Sequence, residues 1–282
     1  MAALLQVADA LAQVLQHAAP LPSEDVALNE AAGRVLAADV AARITQPAAD
    51  VSAMDGYAVR AEDVAHAPAT LKVVGEVAAG HPFTTAVRPG ETARIFTGGV
   101  LPQGTDTVVI QENTTRQGDA VAINSSAPRR KNVRVRGLDF KDGDVLLPKG
   151  RRLTARDLML AAAMNHATLP IHRAPKVAVL GTGDELQVAG SALQPGQVVY
   201  SNGFALGTLA RQEGAAVTDL GIAPDKVDAI AAAVRRARDM GADILVTAGG
   251  ASVGDHDLVQ QSLAAEGLAL SFWRVALRPG RP

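Results

Sequence analysis

Asp243 to Asp257 reads DILVTAGGASVGDHD. Ile244 to Thr247 form a short, apolar, partly β-branched run with no room for a helix, which predicts a buried parallel strand. Gly249, Gly250 and Gly254 follow, so the chain leaves that strand through a loop whose backbone turns freely and can approach a ligand closely. The loop delivers Asp255, His256 and Asp257 to the start of an apolar pattern at helical spacing, Leu258, Val259, Ser262 and Leu263, which Gly267 ends. The acids therefore stand where a strand hands over to a helix N-terminus, the edge of an α/β sheet at which ligands bind.

Working outward, the preceding segment has the same grammar. From Lys176 come a strand KVAVL, a loop GTGDE, a helix starting near Ser201, a strand AAVTDLGI and a helix from Asp225 to Met240. In that helix Val227, Ile230, Val234 and Ala237 form one apolar stripe, while Arg235, Arg236 and Arg238 lie largely off it. Strands alternating with helices predict a parallel, doubly wound sheet. A further strand is expected over Ala269 to Val275, followed by only seven residues, so the sheet reads as incomplete.

The first part of the chain has a different character. Leu4, Val7, Ala8, Leu11, Val14 and Leu15 share a helical face within residues 2 to 18, and a shorter helix is expected from Asn29 through Leu36. Strand-like runs then follow: Leu71 to Val77, Ala93 to Thr97, Thr107 to Gln111, Ala120 to Ile123 and Val133 to Val135. A helix returns with Thr154 as N-cap and Arg156 to Met164 as its body. Helix, β-segment, helix predicts a discontinuous helical domain, residues 1–42 and 137–172, interrupted by a β-rich insert, residues 43–136. An α/β domain occupies residues 173–282.

Composition narrows the function. A net charge of −2 and a pI near 6.3 give no general electrostatic reason to bind nucleic acid. The absence of cysteine excludes disulfides, iron–sulfur clusters and thiolate zinc sites. The first Lys or Arg is Arg34, and no apolar run approaches the roughly 18 residues of a membrane span, so a soluble cytoplasmic protein is expected.

In GTGDEL, Leu186 stands where a dinucleotide fingerprint needs its third glycine, and no glycine loop is followed by GK[ST]. What remains is acids at two strand ends. Asp184 with Glu185, and Asp255 with Asp257, either cap helices or hold a hard cation such as Mg²⁺ against a phosphate. His256 is assigned no role. The basic cluster Arg129, Arg130, Lys131, Arg134 and Arg136 is either a solvated strand face or a phosphate receiver, and Arg274, Arg278 and Arg281 have the same two readings. In SAMDGYAVR, Asp55-Gly56 is either a hairpin tip or a turn that pins one acid in an apolar surround. In IFTGG, Thr97 stands at a strand end before two glycines, as a phosphate or oxyanion contact.

SAMDGYAVR, RIFTGGVLPQGTDTVV, KNVRVRGLD, VAVLGTGDEL, SNGFAL, TAGGASVGDHD and FWRVALRPGRP, in that order, resemble the molybdopterin molybdenumtransferase family, the group of MoeA and the gephyrin E-domain. The likeness runs across nearly the whole chain. It implies an elongated homodimer that uses Mg²⁺ to insert molybdate into the dithiolene of adenylylated molybdopterin and releases AMP. The sulfur ligands come with that substrate, which agrees with a chain that lacks cysteine.

By matching position the resemblance implies catalytic places for Asp55, Thr97, Asp139, Glu185, Asp225 and Asp257. Glu185 and Asp257 would hold the metal, and Asp55 and Thr97 would reach in from the partner subunit. It implies substrate contacts at Arg134, Arg136, Gly181, Gly183, Asp184, Ser201, Asn202, Gly249, Gly250, Ser252, Gly254, Arg274, Arg278 and Arg281. Three departures stand out. Arginines occupy positions 274, 278 and 281 where the family has lysines, and Leu138 replaces an acid that commonly precedes Asp139. The family also continues through more of the α/β domain and a C-terminal β-domain, so an incomplete molybdopterin-binding domain is expected here. A rival reading is a non-catalytic chain that dimerises or binds ligand.

Overall fold

The computed structural model describes residues 4–249, 258–272 and 275–276. Along the chain lie α1 (Val7–Gln16), β1 (Ser23–Ala27), β2 (Val40–Ala41), β3 (Val51–Ser52), β4 (Gly56–Val59), β5 (Ala69–Val77) and β6 (Glu91–Ile95). β7 (Thr107–Ile110), β8 (Thr114–Gln117), β9 (Ala120–Ile123), β10 (Val133–Arg134), β11 (Val145–Leu147), α2 (Ala155–Ala163) and β12 (Thr168–His172) follow. The last part holds β13 (Lys176–Thr182), β14 (Leu186–Gln187), β15 (Val198–Val199), α3 (Asn202–Gln212), β16 (Ala216–Ala223), α4 (Val227–Asp239), β17 (Ile244–Ala248) and α5 (Leu258–Ala265). Contacts gather these into two units rather than at the three boundaries expected from sequence. One is Ala27–Ala32 with Ala38–Leu169; the other is Met1–Val26, Gly33–Ala37 and Pro170–Pro282. The two helices assigned to one helical domain, α1 and α2, thus belong to different units.

The first unit is built on a six-stranded sheet of order β7-β4-β6-β5-β9-β8, in which only β5 and β6 run parallel. It packs apolar side chains on both faces. Tyr57, Val59, Leu71, Val109, Val121 and Ile123 gather in one cluster, and Ala58, Val77, Ala93, Ile95 and Val108 in another. β4 is consequently buried along its whole length. Its first residue, Gly56, lies so close to β7 that a Cβ there would overlap the Val109 carbonyl oxygen. Asp55-Gly56 is therefore not a hairpin tip: the glycine opens a central strand, a use of the missing side chain that turn statistics do not reveal. Small two-stranded sheets, β10 with β3 and β11 with β2, extend this unit, and α2 starts from Thr154 through a reciprocal capping box with Asp157.

The second unit carries the parallel sheet in the order β16-β13-β17. β13 is central and buried from Val177 onward, as KVAVL predicts. On α4, Ile230, Val234 and Ala237 are buried on the expected stripe, and Ile230 with Ala233 joins Leu180, Ala223 and Val259 in a core. β17 departs from the buried strand expected. Ile244 is 51% exposed and the rest of the strand only half-buried, because among the described residues β17 pairs on one side alone, with β13. The helix expected over Asn29 to Leu36 is a single 3-10 turn, Leu28–Glu30, because Gly33 adopts φ +75° and Leu36 bridges to Ile171 instead. The strand expected over Ala269 to Val275 reduces, among the described residues, to one parallel bridge between Val275 and Leu5. α1 forms, but of its residues only Ala10 is buried, while Val7, Leu11, Val14 and Leu15 stand exposed.

Candidate functional site

Two clusters bring sequence-predicted residues together, one in each unit. In the β-rich unit, β3 feeds a short turn that is stapled by small polar groups. The Ser52 hydroxyl donates to Met54 O at 2.5 Å, and Gly98 N donates to Ser52 O at 2.8 Å. This places Asp55 beside the end of β6. There Asp55 Oδ1 accepts both the amide and the hydroxyl of Thr97, each at 2.8 Å. The Thr97 amide, then its hydroxyl, with the Arg94 cation adding, hold the Asp55 carboxyl below the usual carboxylate range against a partial-burial effect of opposite sign. Asp55 and Thr97, which the sequence offered separately, are one hydrogen-bonded pair.

Further along the same unit the basic cluster meets carboxylates. Arg134 Nη2 contacts both oxygens of Asp139 at 3.0 Å, Arg129 Nε reaches Asp106 at 3.1 Å, and the Arg136 amide donates to Asp50 at 2.7 Å. The side chains of Arg129 and Arg134 thus have intramolecular acceptors, and Arg136 Nε donates to Ala48 O at 3.1 Å. Arg134 and Asp139 are exposed, so their pairing is one that an incoming anion can compete with.

In the α/β unit the order β16-β13-β17 reverses direction at β13. The crevice beyond the carboxyl ends of β13 and β17 is therefore the switch point at which doubly wound sheets bind ligands. The loop after β13 carries Gly183, Asp184 and Glu185, and the strand end of β17 carries Gly249. Gly183 adopts φ +148° and a Cβ there would overlap the Glu185 carboxylate; Gly249 adopts φ +114° and a Cβ there would overlap Thr182 O. Gly249 thus needs glycine for space as well as for conformation, and Gly183 for its conformation, since the Glu185 side chain can move aside. Asp184 Oδ1 accepts the Asp225 amide at 3.1 Å, which ties the loop after β13 to the loop after β16. Asp184, Glu185 and Asp225 are exposed, as are Ser201 and Asn202 at the start of α3. Gly181 lets the Tyr200 ring lie against β13, where a Cβ would come within 2.7 Å of it.

Reading the sequence alone missed four participants. Arg94 and Gln111 brace the Asp55 turn. Thr182 and Tyr200 are buried, and neither hydroxyl has a hydrogen-bond partner in the protein among the described residues. Burial, and then the nearby Asp219 charge, push the Tyr200 phenol up. Thr182 was legible as the residue inside GTGDE, but its lack of a partner is a property of packing. Gly250, Ser252, Gly254, Asp255, His256, Asp257, Arg274, Arg278 and Arg281 lie outside the described residues.

Residues 5–165 match the family described as the MoeA N-terminal region (domain I and II), and residues 178–282 match one described as a probable molybdopterin binding domain. Molybdopterin molybdenumtransferase of Nostoc sp. is 41% identical over 264 residues, and that of Haemophilus influenzae 39% identical over 264. These alignments take in 92% and 93% of this chain but 60% and 65% of the relatives, so the chain spans less than two thirds of either. A solved structure of the molybdopterin biosynthesis MoeA protein from Pyrococcus horikoshii superposes with a TM-score of 0.86 at 33% identity, covering 99% of this chain and 71% of that one. The order of motifs, the switch-point sheet and these matches agree: the chain belongs to the MoeA family of molybdopterin molybdenumtransferases.

Proposed function

We propose that this chain takes part in molybdenum cofactor biosynthesis as a homodimeric molybdenumtransferase. It would transfer molybdenum from molybdate to the dithiolene of adenylylated molybdopterin, with Mg²⁺, and release AMP. The observation that carries this reading is the glycine-shaped crevice at the switch point. There Gly249 lets backbone approach Thr182 O, Gly183 leaves room for the Glu185 carboxylate, and the buried Thr182 hydroxyl has no partner among the described residues. A buried hydroxyl without a partner costs about 1–3 kcal/mol, a cost that a polar ligand group would remove.

The donor chemistry suits magnesium. Among the described residues no three His, Asp or Glu side chains converge as a cage. Mg²⁺, however, takes only one or two protein carboxylates and fills its shell with water and phosphate oxygens. Glu185 would hold it, with Asp257 as the second expected ligand. Bound there, the metal would neutralise phosphate charge as AMP leaves. Asp184, fixed by the Asp225 amide, orients the two loops. Asp55, ionised and aimed by Thr97, supplies a preset oxygen acceptor, and Arg134 offers a cation to an anionic group that displaces Asp139.

Calorimetric titration of the chain with adenylylated molybdopterin, with and without Mg²⁺, tests the reading. Saturable, Mg²⁺-dependent binding that Glu185→Ala weakens at least tenfold is expected, with AMP and molybdenum cofactor forming once molybdate is added. Binding without AMP release would favour the ligand-binding, non-catalytic reading. No binding would overturn both.

A further inference from the structure

Arg94 stands directly opposite Tyr57 in the register of β4 and β6, so the two side chains share one face of the sheet, and Phe96 follows just past the end of β6. Its guanidinium lies 5.2 Å from the Tyr57 ring centre and 5.0 Å from that of Phe96, within cation–π range of both. Held between the rings, it donates from Nη1 to Gly56 O at 3.3 Å and from Nη2 to Gln111 Oε1 at 2.5 Å. Gln111 in turn donates its backbone amide to Asp55 O at 3.1 Å. The circuit closes at Thr97, three residues beyond Arg94, whose amide and hydroxyl grip the Asp55 carboxylate.

We propose that Arg94 is the positioning residue of the Asp55–Thr97 pair: through Gly56 O and Gln111 it fixes the peptide that carries Asp55, and so the direction in which the carboxylate points. The inference rests on the reading of Asp55 and Thr97 as functional groups. Asp55 has three constraints of independent origin, one on its own carbonyl, one on the carbonyl that follows and one on its carboxylate. Arg94 makes the second directly, and through the Gln111 side chain it braces the residue whose backbone amide makes the first. Lysine could keep the charge, but it has no planar fork to stack between two rings while bonding two oxygens. The proximity of Arg94 also contributes to the ionised state of Asp55.

The test uses the intact chain and nuclear magnetic resonance of two reporters, the Thr97 amide proton and the Asp55 carboxyl carbon, through an acid titration. In Arg94→Gln the Asp55 midpoint should rise toward the ordinary carboxylate value and the Thr97 amide should lose the offset that its hydrogen bond imposes. In Arg94→Lys the midpoint should stay nearer the parent's, while the Thr97 amide should still shift. Gln111→Leu keeps both the cation and the stack, so it should move the Thr97 amide in the same direction by less, and it decides the matter if Arg94→Gln does not fold. Unmoved reporters in a folded variant would make Arg94 merely structural and overturn the proposal. In turnover, Arg94→Lys should lower kcat about tenfold to a hundredfold with little change in KM. A raised KM with unmoved reporters would instead make Arg94 a substrate contact, which also overturns it. If the parent chain shows no turnover, the proposed function fails while the two reporters still decide the role of Arg94.

Discussion

The two clusters differ in how their polar groups are satisfied. At the β-rich cluster the chain supplies partners to its own candidate groups: Asp55 has Thr97, Arg134 has Asp139, and Arg94 has Gly56 O and Gln111. At the switch point of the α/β unit, Thr182 and Tyr200 bury hydroxyls without partners among the described residues, and glycines with φ of +148° and +114° line the loops. The first cluster is preorganised, set before any substrate arrives. The second keeps unsatisfied polarity and backbone space, which is what a surface that completes itself with ligand requires. The two clusters thus show opposite kinds of local energetics within one chain.

The sharpest way to break this contrast is to add one methyl group to each cluster. Gly56→Ala should destabilise the β-rich unit by about 3 kcal/mol, because β4 is buried along its whole length and the new Cβ would overlap the Val109 carbonyl, forcing a central strand off its neighbour. Urea unfolding followed by the signal of Tyr57 would read the loss. Gly249→Ala should cost less, about 2 kcal/mol, although it combines a positive φ with overlap on Thr182 O. β17 pairs on one side alone among the described residues and can yield locally. Its larger effect should fall on ligand titration. Equal losses of stability at the two sites would show that the switch-point edge is as rigid as the central strand and would undo the contrast.

The same contrast explains what was legible in the sequence. The βαβαβα order, the stripe on α4 and the Thr154 cap followed from periodicity and capping chemistry, which are local. Gly56 was left between two readings because the reason for its glycine, the oxygen of Val109, lies 53 residues away in sequence and adjacent only in the sheet. Asp55 and Thr97 were both singled out, yet their pairing depends on the β4–β6 register, which composition does not encode. Arg94 escaped notice because an arginine in a strand reads as a solvated face until the rings on either side of it are located. The partners of Arg134 and Arg136, by contrast, were five and 86 residues away, and only the nearer could have been guessed from spacing.

A finer test addresses the unpartnered hydroxyls. Thr182→Val and Tyr200→Phe each remove a buried oxygen that has no partner among the described residues and change little else in shape. Each should therefore be neutral or stabilise the α/β unit by about 1 kcal/mol in urea unfolding. Thr182→Val should at the same time weaken binding of adenylylated molybdopterin, since the hydroxyl it removes faces the glycine-shaped crevice beside Gly249. A variant that loses stability would mean that the hydroxyl is already satisfied in solution, and the switch point would then resemble the β-rich cluster after all.

The smallest effect should come from the opposite end of the same strands, where the α/β unit is as well satisfied as the β-rich one. Asp243, just before β17, takes a two-pronged ion pair from Arg173, with Nη1 and Nη2 at 2.7 and 2.6 Å, and the Lys176 amide at 2.8 Å. The bonds from Arg173 come first, then the Lys176 amide, and together they lower the Asp243 carboxyl to about 2 from an ordinary 3.8. A carboxyl whose value falls on folding contributes stability that is fully present above its unfolded value. That contribution fades as the pH drops through the folded one. Because the pair is partly exposed, solvent screening reduces the contribution to about 1 kcal/mol. Asp243→Asn should accordingly be about 1 kcal/mol less stable than the parent at pH 5, and the gap should close as the pH approaches 2, with ligand binding untouched because the residue sits at the amino end of the sheet. Urea unfolding of both chains at the two pH values measures this. A gap that persists at the acid end would mean that Asp243 acts through packing and not through its charge, and a change in ligand affinity would mean that the two ends of the sheet are coupled.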